Sequence, residues 1–302
     1  MMIKKIINSI LNIFRKIDYV FPYVNALDEE WREEHDKIIG KPLDIARYRD
    51  PGTLELYIQL LYKNMPWLNK IFIILADKSN IPEFLKKYKK VKVVRHSEFI
   101  PSMLLPTYNS GTIESFLHRI PKLSEYFIYG NDDVYTIKPL NPDDFFDFQT
   151  GQIKLTVKMK KYDPVRRSCD SLRKSCATKL LKQPDVKFVP VQTHILSPYR
   201  KSLYQQAFNE YEDVILNSCT RTRVNSQNIC QYFFGYWLYL HNMLIPSSIK
   251  GVSKVISQRF TKVKDLFDNQ VVCINDSKLV SGDNYKKLWS IFKIKLIASL
   301  KK

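Results

Sequence analysis

Glycine is scarce: the 302-residue chain has only eight, and none falls in a G-x-G-x-x-G pattern, so dinucleotide binding of that type has no support. Cysteine is also sparse. Cys169, Cys176, Cys219, Cys230 and Cys273 are odd in number and irregular in spacing, with no C-x-x-C pair. That fits neither a disulfide framework nor a zinc knuckle, and it leaves reduced thiols of a cytoplasmic protein. No run approaches the roughly 20 apolar residues of a transmembrane helix. Met1 to Ile17 lacks a secretory pattern, because Asn8, Ser9, Asn12, Arg15 and Lys16 interrupt its apolar centre. Acidic side chains number 30 against 48 basic ones, a net charge of +18. Such an excess selects an anionic partner (nucleic acid, a lipid surface or a phosphorylated substrate) or is a lysine-rich solvated surface. No nucleic-acid motif accompanies it, and no internal repeat is present.

What is present is a large apolar fraction, 45%, enough for one elaborated domain or two smaller ones. Residues 1–16 read as a basic amphipathic helix. Ile3, Ile6, Ile7, Ile10, Leu11 and Phe14 recur at helical spacing, with Lys4, Lys5, Arg15 and Lys16 opposite, suited either to an anionic leaflet or to packing on the domain itself. Ile17 to Val24 reads as a strand, with Pro22 marking an edge or an end. Helical segments at Trp31 to Lys37 and Thr53 to Leu61 precede a buried strand, Lys70 to Asp77, and another strand at Val91 to Val94. Strand and helix in alternation predict an α/β, Rossmann-like, mostly parallel sheet with crossover helices.

Within that frame the richest stretch is Leu105 to Tyr135. Its strand, Tyr126 to Tyr129, ends at Gly130 and delivers Asn131, Asp132 and Asp133 where open α/β sheets bind their ligands, beyond the carboxyl ends of the strands. Farther on, Ile153 to Met159 alternates as one half-exposed strand, and residues 161–187 read as a basic insertion or lid. A short strand precedes His194, helices are predicted over Ser202 to Leu216 and Gln227 to His241, and Val271 to Ile274 is a strand ending in Asn275 and Asp276. Residues 285–302 suggest a second basic amphipathic helix. By residue type, carboxylates supply ligands for Mg2+ or Mn2+, arginines neutralise phosphate, and a histidine can take a proton from a hydroxyl. Each has a plainer reading too: an Asp-Asp pair as a turn, a lone histidine as a structural residue, and Arg47 and Arg49 as partners of Asp44 or Asp50.

The run LPTYNSGTIESFLHRIP followed by FIYGNDDV resembles the Stealth family of bacterial capsule phosphotransferases, whose relatives include the animal N-acetylglucosamine-1-phosphotransferase. VFPYVNA at Val20 to Ala26, RYRD at Arg47 to Asp50, TRTR at Thr220 to Arg223 and CIND at Cys273 to Asp276 extend the likeness. The resemblance implies one catalytic domain over residues 17–284, and transfer of a sugar-1-phosphate from a nucleotide-sugar, typically UDP-N-acetylhexosamine, to a saccharide acceptor. It implies His194 as general base, Arg223 with Arg221 as phosphate clamp, and Asp132, Asp133 and Asp276 as metal ligands. Glu114 joins the catalytic set, while Asn25, Arg47, Arg49, Asp77, Asn109, Asn131 and Asn275 line the donor pocket. The rival is a metal-dependent glycosyltransferase that releases UDP. The implied place of work is the cytoplasm, or peripherally the inner face of the plasma membrane.

Overall fold

A computed structural model describes residues 15–25, 27–40, 48–161, 188–222, 229–255, 264–276, 280 and 282–301. The predicted N-terminal helix (residues 1–14 of it), the insertion after residue 161, Arg47 and Arg223 lie outside the described residues.

The strands are β1 (Ile17–Pro22), β2 (Ile71–Leu75), β3 (Val91–Arg95), β4 (Tyr126–Tyr129), β5 (Val134–Thr136), β6 (Ile153–Leu155), β7 (Val157–Lys161), β8 (Phe188–Gln192), β9 (Ser197–Arg200), β10 (Leu244–Pro246), β11 (Gly251–Val255) and β12 (Val271–Asn275). The helices are α1 (Glu29–Ile39), α2 (Leu54–Asn64), α3 (Ser110–Ser115), α4 (Lys201–Glu210), α5 (Glu212–Ser218), α6 (Gln231–Leu240) and α7 (Gly282–Lys301).

The central sheet has the order β3-β2-β1-β4-β9. Its first four strands run parallel, and β9 closes one edge antiparallel to β4. Both faces of the inner strands are covered, which is why β2 reads IFIIL and is buried at every position. β3, at the other edge, is buried only in part. Pro22 sits at the end of a central strand, not at an edge: it is the last residue of β1, paired with Ile74, and needs no further ladder bond. Pro198 does occupy an edge strand, β9, opposite Ile128.

A second, three-stranded sheet of order β11-β12-β5 begins directly after the acidic triplet and pairs β12 antiparallel with β5. The predicted strand over Ile153 to Met159 is two strands: β6 joins β10, while β7 joins β8. Thr156 lies between them, and its carbonyl accepts from the Thr193 N–H at 2.8 Å, so the chain turns from one partner to the other there. The helix expected over Ser202 to Leu216 divides at Tyr211, whose φ of −126° is not helical.

Buried polar clamps fix the frame. Asp18, fully buried, accepts from the Asn69 amide at 2.7 Å, the Lys70 N–H at 3.1 Å and the Ser124 N–H at 2.7 Å. It thereby ties the loops that enter β2 and β4 to β1. At the opposite end the Tyr57 hydroxyl donates to the Asn131 carbonyl at 3.0 Å, and the Tyr19 and Tyr57 hydroxyls lie 2.7 Å apart. A Cβ on Gly130 would stand 2.1 Å from the Tyr19 hydroxyl, so the glycine before the triplet leaves room for that tyrosine.

Candidate active site

β1 and β4 end side by side, with Val20 opposite Tyr129 and the Gly130 N–H donating to the Val20 carbonyl at 3.0 Å. Their polar exits, Tyr23 to Asn25 and Asn131 to Asp133, therefore share one edge. β9 starts at Ser197 opposite Tyr129. Because β9 is antiparallel, His194 just before it falls beyond the end of β4, beside the triplet. The Asn131 amide nitrogen is 2.9 Å from His194 Nε2, and His194 Nδ1 is 2.8 Å from the Tyr232 hydroxyl. With the amide donating, Nε2 accepts, and Nδ1 carries the proton that is donated to Tyr232.

β12 completes the wall. The Ile274 N–H donates to the Asp133 carbonyl at 2.9 Å, and Cys273 pairs opposite Val134. The ligand atoms of Asp133, His194 and Cys273 all lie within 4.8 Å of one another. Asp133 Oδ1 is buried with no hydrogen-bond partner among the described residues, the kind of orphaned acceptor that a cation satisfies. The Asn275 amide donates to Ser253 at 3.0 Å and lies 3.4 Å from the Cys273 sulfur.

Burial, then the charges of Asp133 and Asp50, hold the Asp132 carboxyl well above the usual carboxylate range, although the Val24 backbone N–H partly offsets this. Burial also raises Asp133, opposed by His194 and by the Cys273 thiol. Cys273 itself is pushed well above the usual thiol range by burial, with Asp133 adding to the effect. A carboxylate pair suits a hard, oxygen-seeking cation such as Mg2+ or Mn2+. The thiol does not, and it marks the Cys273 side as the poorer place for magnesium.

Other predicted residues are placed differently. Asp276 is held by Arg49: Nε donates to Oδ2, and a terminal guanidinium nitrogen donates to Oδ1 at 2.5 Å and to the Val280 carbonyl at 2.7 Å. Asp276 and the Val280 carbonyl thus engage Arg49, and Asp44 lies outside the described residues. Asp50 accepts from the Tyr23 hydroxyl at 2.7 Å. Glu114, buried, accepts from the Tyr129 hydroxyl at 3.2 Å and from the Gln231 N–H at 2.9 Å, so it joins α3 to β4 and to the start of α6. Asn109 caps α3 by accepting from the Gly111 N–H at 3.0 Å, while its amide reaches the Thr220 hydroxyl at 3.1 Å. The Tyr108 N–H donates to the Arg221 carbonyl at 2.8 Å, and Arg221 is exposed. The TRTR segment is therefore stitched to the NSGTIES turn as far as it is described. Asp77, exposed at the end of β2, accepts from the Ser97 hydroxyl at 2.5 Å. Asn25 makes a local turn, accepting from the Leu27 N–H at 2.9 Å.

Tyr232, Cys273 and the Tyr23–Asp50 pair were not anticipated. An aromatic-rich helix conceals Tyr232 among core residues, and Cys273 reads as one more apolar position of a buried strand. Only the placement of both near His194 separates them from the core.

A family model described as Stealth protein CR2, conserved region 2, matches residues 47–154. A capsular polysaccharide phosphotransferase of Neisseria meningitidis serogroup B is 34% identical over 302 aligned positions, covering 89% of this chain and 79% of that protein. Capsular polysaccharide phosphotransferase LcbA of Aeromonas hydrophila is 32% identical, covering 80% and 71%, and the WcwK enzyme of Streptococcus pneumoniae is 27% identical, covering 87% and 90%. The chain is an α/β protein with its candidate site at the carboxyl edge of the central sheet, and it belongs to the Stealth capsular-polysaccharide phosphotransferases. A solved structure of an active-site mutant of LgtC overlaps with a TM-score of 0.44 at 10% identity, covering 91% of this chain and 95% of that one, too loosely to carry an argument.

Proposed function

We propose that the protein transfers a sugar-1-phosphate from a nucleotide-sugar, of the UDP-N-acetylhexosamine class, to a saccharide hydroxyl in surface-polysaccharide synthesis. The product is a phosphodiester and the leaving group is UMP. The observation that carries this reading is the 2.9 Å contact between Asn131 and His194 Nε2 at the carboxyl edge of the sheet, beside the orphaned oxygen of Asp133. Family membership supports the same chemistry.

In the proposed reaction the acceptor hydroxyl replaces the Asn131 amide at His194 Nε2. Its oxygen attacks the sugar-bearing phosphorus as its proton passes to that nitrogen, and the bond to the UMP oxygen breaks. Tyr232 holds the ring from Nδ1, so the lone pair points at the acceptor. Asp133, with Asp132 beside it, would hold a divalent cation, which when bound offsets charge on the diphosphate. Arg221 and Arg223 are the proposed phosphate contacts. Arg49, already bonded to Asp276, positions the β12 exit. The anomeric bond is untouched, so sugar configuration is retained.

Purified protein incubated with a UDP-N-acetylhexosamine and a saccharide acceptor, with Mg2+, Mn2+ or EDTA, tests the reading by phosphorus NMR of the products. Phosphodiester phosphorus and UMP are expected. Release of UDP with no phosphorus in the saccharide product overturns it in favour of glycosyl transfer.

A further inference from the structure

The C-terminal helix α7 has two faces of opposite use. Its inner face buries Trp289, Phe292 and Leu296 in the main core, and Lys63 on α2 donates to the Ser299 and Leu300 carbonyls at 3.0 and 2.9 Å, capping its end. Tyr285 lies toward the same side, with the Arg49 guanidinium 3.7 Å above its ring. The outer face is unusual. Ile291, Ile294 and Ile297 are 38%, 65% and 41% exposed. At about 100° per residue they form one stripe, centred on Ile294, directly opposite the buried set. Lys287, Lys295 and Lys301, all exposed, flank it.

Asp283 is the only acid in the helix, and it sits in the first turn, 3.8 Å from Lys286. An exposed isoleucine stripe is not explained by solubility, and the fold does not need it, because α7 is already anchored by its other face. Three β-branched apolar side chains framed by lysines, on a chain of net charge +18, complement a surface that offers hydrocarbon and negative charge together.

We propose that the outer face of α7 is a membrane-docking surface that lies in the plane of an anionic bilayer, with Ile291, Ile294 and Ile297 in the interface and the flanking lysines on lipid phosphates. Docking there leaves the inner face undisturbed. The chain is then held on the membrane by the same helix whose Tyr285 supports Arg49 and, through it, Asp276. This inference is independent of the proposed reaction.

Sedimentation of the full chain with vesicles tests it, using phosphatidylglycerol and phosphatidylcholine in equal parts against phosphatidylcholine alone. Wild type is expected to pellet with the anionic vesicles and to be released by salt. The triple variant Ile291→Ser, Ile294→Ser, Ile297→Ser is expected to lose binding by about tenfold or more. Each of Lys287→Gln and Lys295→Gln is expected to weaken binding by about fivefold, the equivalent of ~1 kcal/mol per basic residue at an anionic surface. Unfolding midpoint and soluble turnover should stay at wild-type values, and Ile294→Glu supplies a single-site check if the triple variant folds poorly. Wild type that stays in the supernatant, or variants that bind as wild type does, would overturn the proposal. So would a wild-type dimer in light scattering that the serine variant converts to monomer, since the face would then belong to a second copy of the chain.

Discussion

At Glu114 both carboxylate oxygens have a donor, the Tyr129 hydroxyl on one and the Gln231 N–H on the other. At Asp133, four residues past the end of β4, Oδ1 is equally cut off from water and has no hydrogen-bond partner among the described residues. An unpaired buried acceptor costs about 1–3 kcal/mol. A fold that buries an acid to join its elements completes the acid's hydrogen bonds, as it does at Glu114 and at Asp18. Where one is left bare, the cost is offset only when something binds. The contrast separates a positioning region, the Asn109 to Glu114 seam, from a candidate reacting region, the Asn131 to Asp133 exit, although both stretches look equally polar along the chain.

The sharpest way to break that contrast is to remove one group from each side. His194→Ala should lower kcat/KM by about 10²–10⁴-fold while leaving the unfolding midpoint near wild type. Near-normal turnover in a folded variant would remove His194 from the reaction. Glu114→Ala should do the reverse. It strands the Gln231 N–H and the Tyr129 hydroxyl and should cost about 2–4 kcal/mol in denaturant unfolding, with turnover lost only in proportion to unfolded protein. An inactive Glu114→Ala protein of wild-type stability would move Glu114 into the reacting set.

A smaller effect is expected at the joint between the two regions. Gly130→Ala drives a methyl group into the Tyr19 hydroxyl and should cost about 1–3 kcal/mol. Tyr19→Phe in the same chain removes the clashing oxygen and should restore part of that loss, measured as a double-mutant cycle in urea. Strict additivity would mean that Gly130 is required for some other reason.

The smallest effect concerns pH. Burial raises the carboxyls of Asp132 and Asp133 in the folded protein, whereas the unfolded chain ionises near the ordinary value of about 3.9. Between those limits the folded state binds more protons than the unfolded one. Stability therefore falls as pH rises through that window, and the loss is complete above the folded pKa. Asp132→Asn removes the Asp132 share of that loss. It should match wild type in acid and melt about 2–4 °C higher at pH above the window, in EDTA, with Mg2+ closing the gap by stabilising wild type alone. Parallel melting curves for the two proteins at every pH would contradict this.

Much of the frame was legible because burial on both faces leaves a mark in the residues themselves. Lys70 to Asp77 and Tyr126 to Tyr129 could hardly be anything but buried strands, and the observed β2 and β4 lie within them. The alternation over Ile153 to Met159 misled, because a period of two says that residues face opposite ways and not which strand each segment joins. The segment divides between two partners at Thr156. β11 left little trace, since Gly251 to Val255 carries Ser253 and Lys254 among only two apolar side chains. Of the candidate site, the acidic triplet and His194 stand out by residue type, but Tyr232 and Cys273 acquire significance only from their neighbours.

What the chain determined by itself was local: which segments are strands, that Gly130 ends one of them, and that acids follow at once. Those facts depend on side-chain size, burial preference and backbone freedom over a few residues. Tertiary structure alone decided which acid is left with a bare oxygen, that His194 reaches Asn131, and that Asp276 is engaged by Arg49. These partners are far apart in sequence, and no local pattern encodes a contact made by the register of an antiparallel edge strand or by the pairing of a second sheet. The stretch from Leu105 to Tyr135 therefore names the chemistry that is available, and the packing of β9 and β12 against it determines which of its side chains can meet.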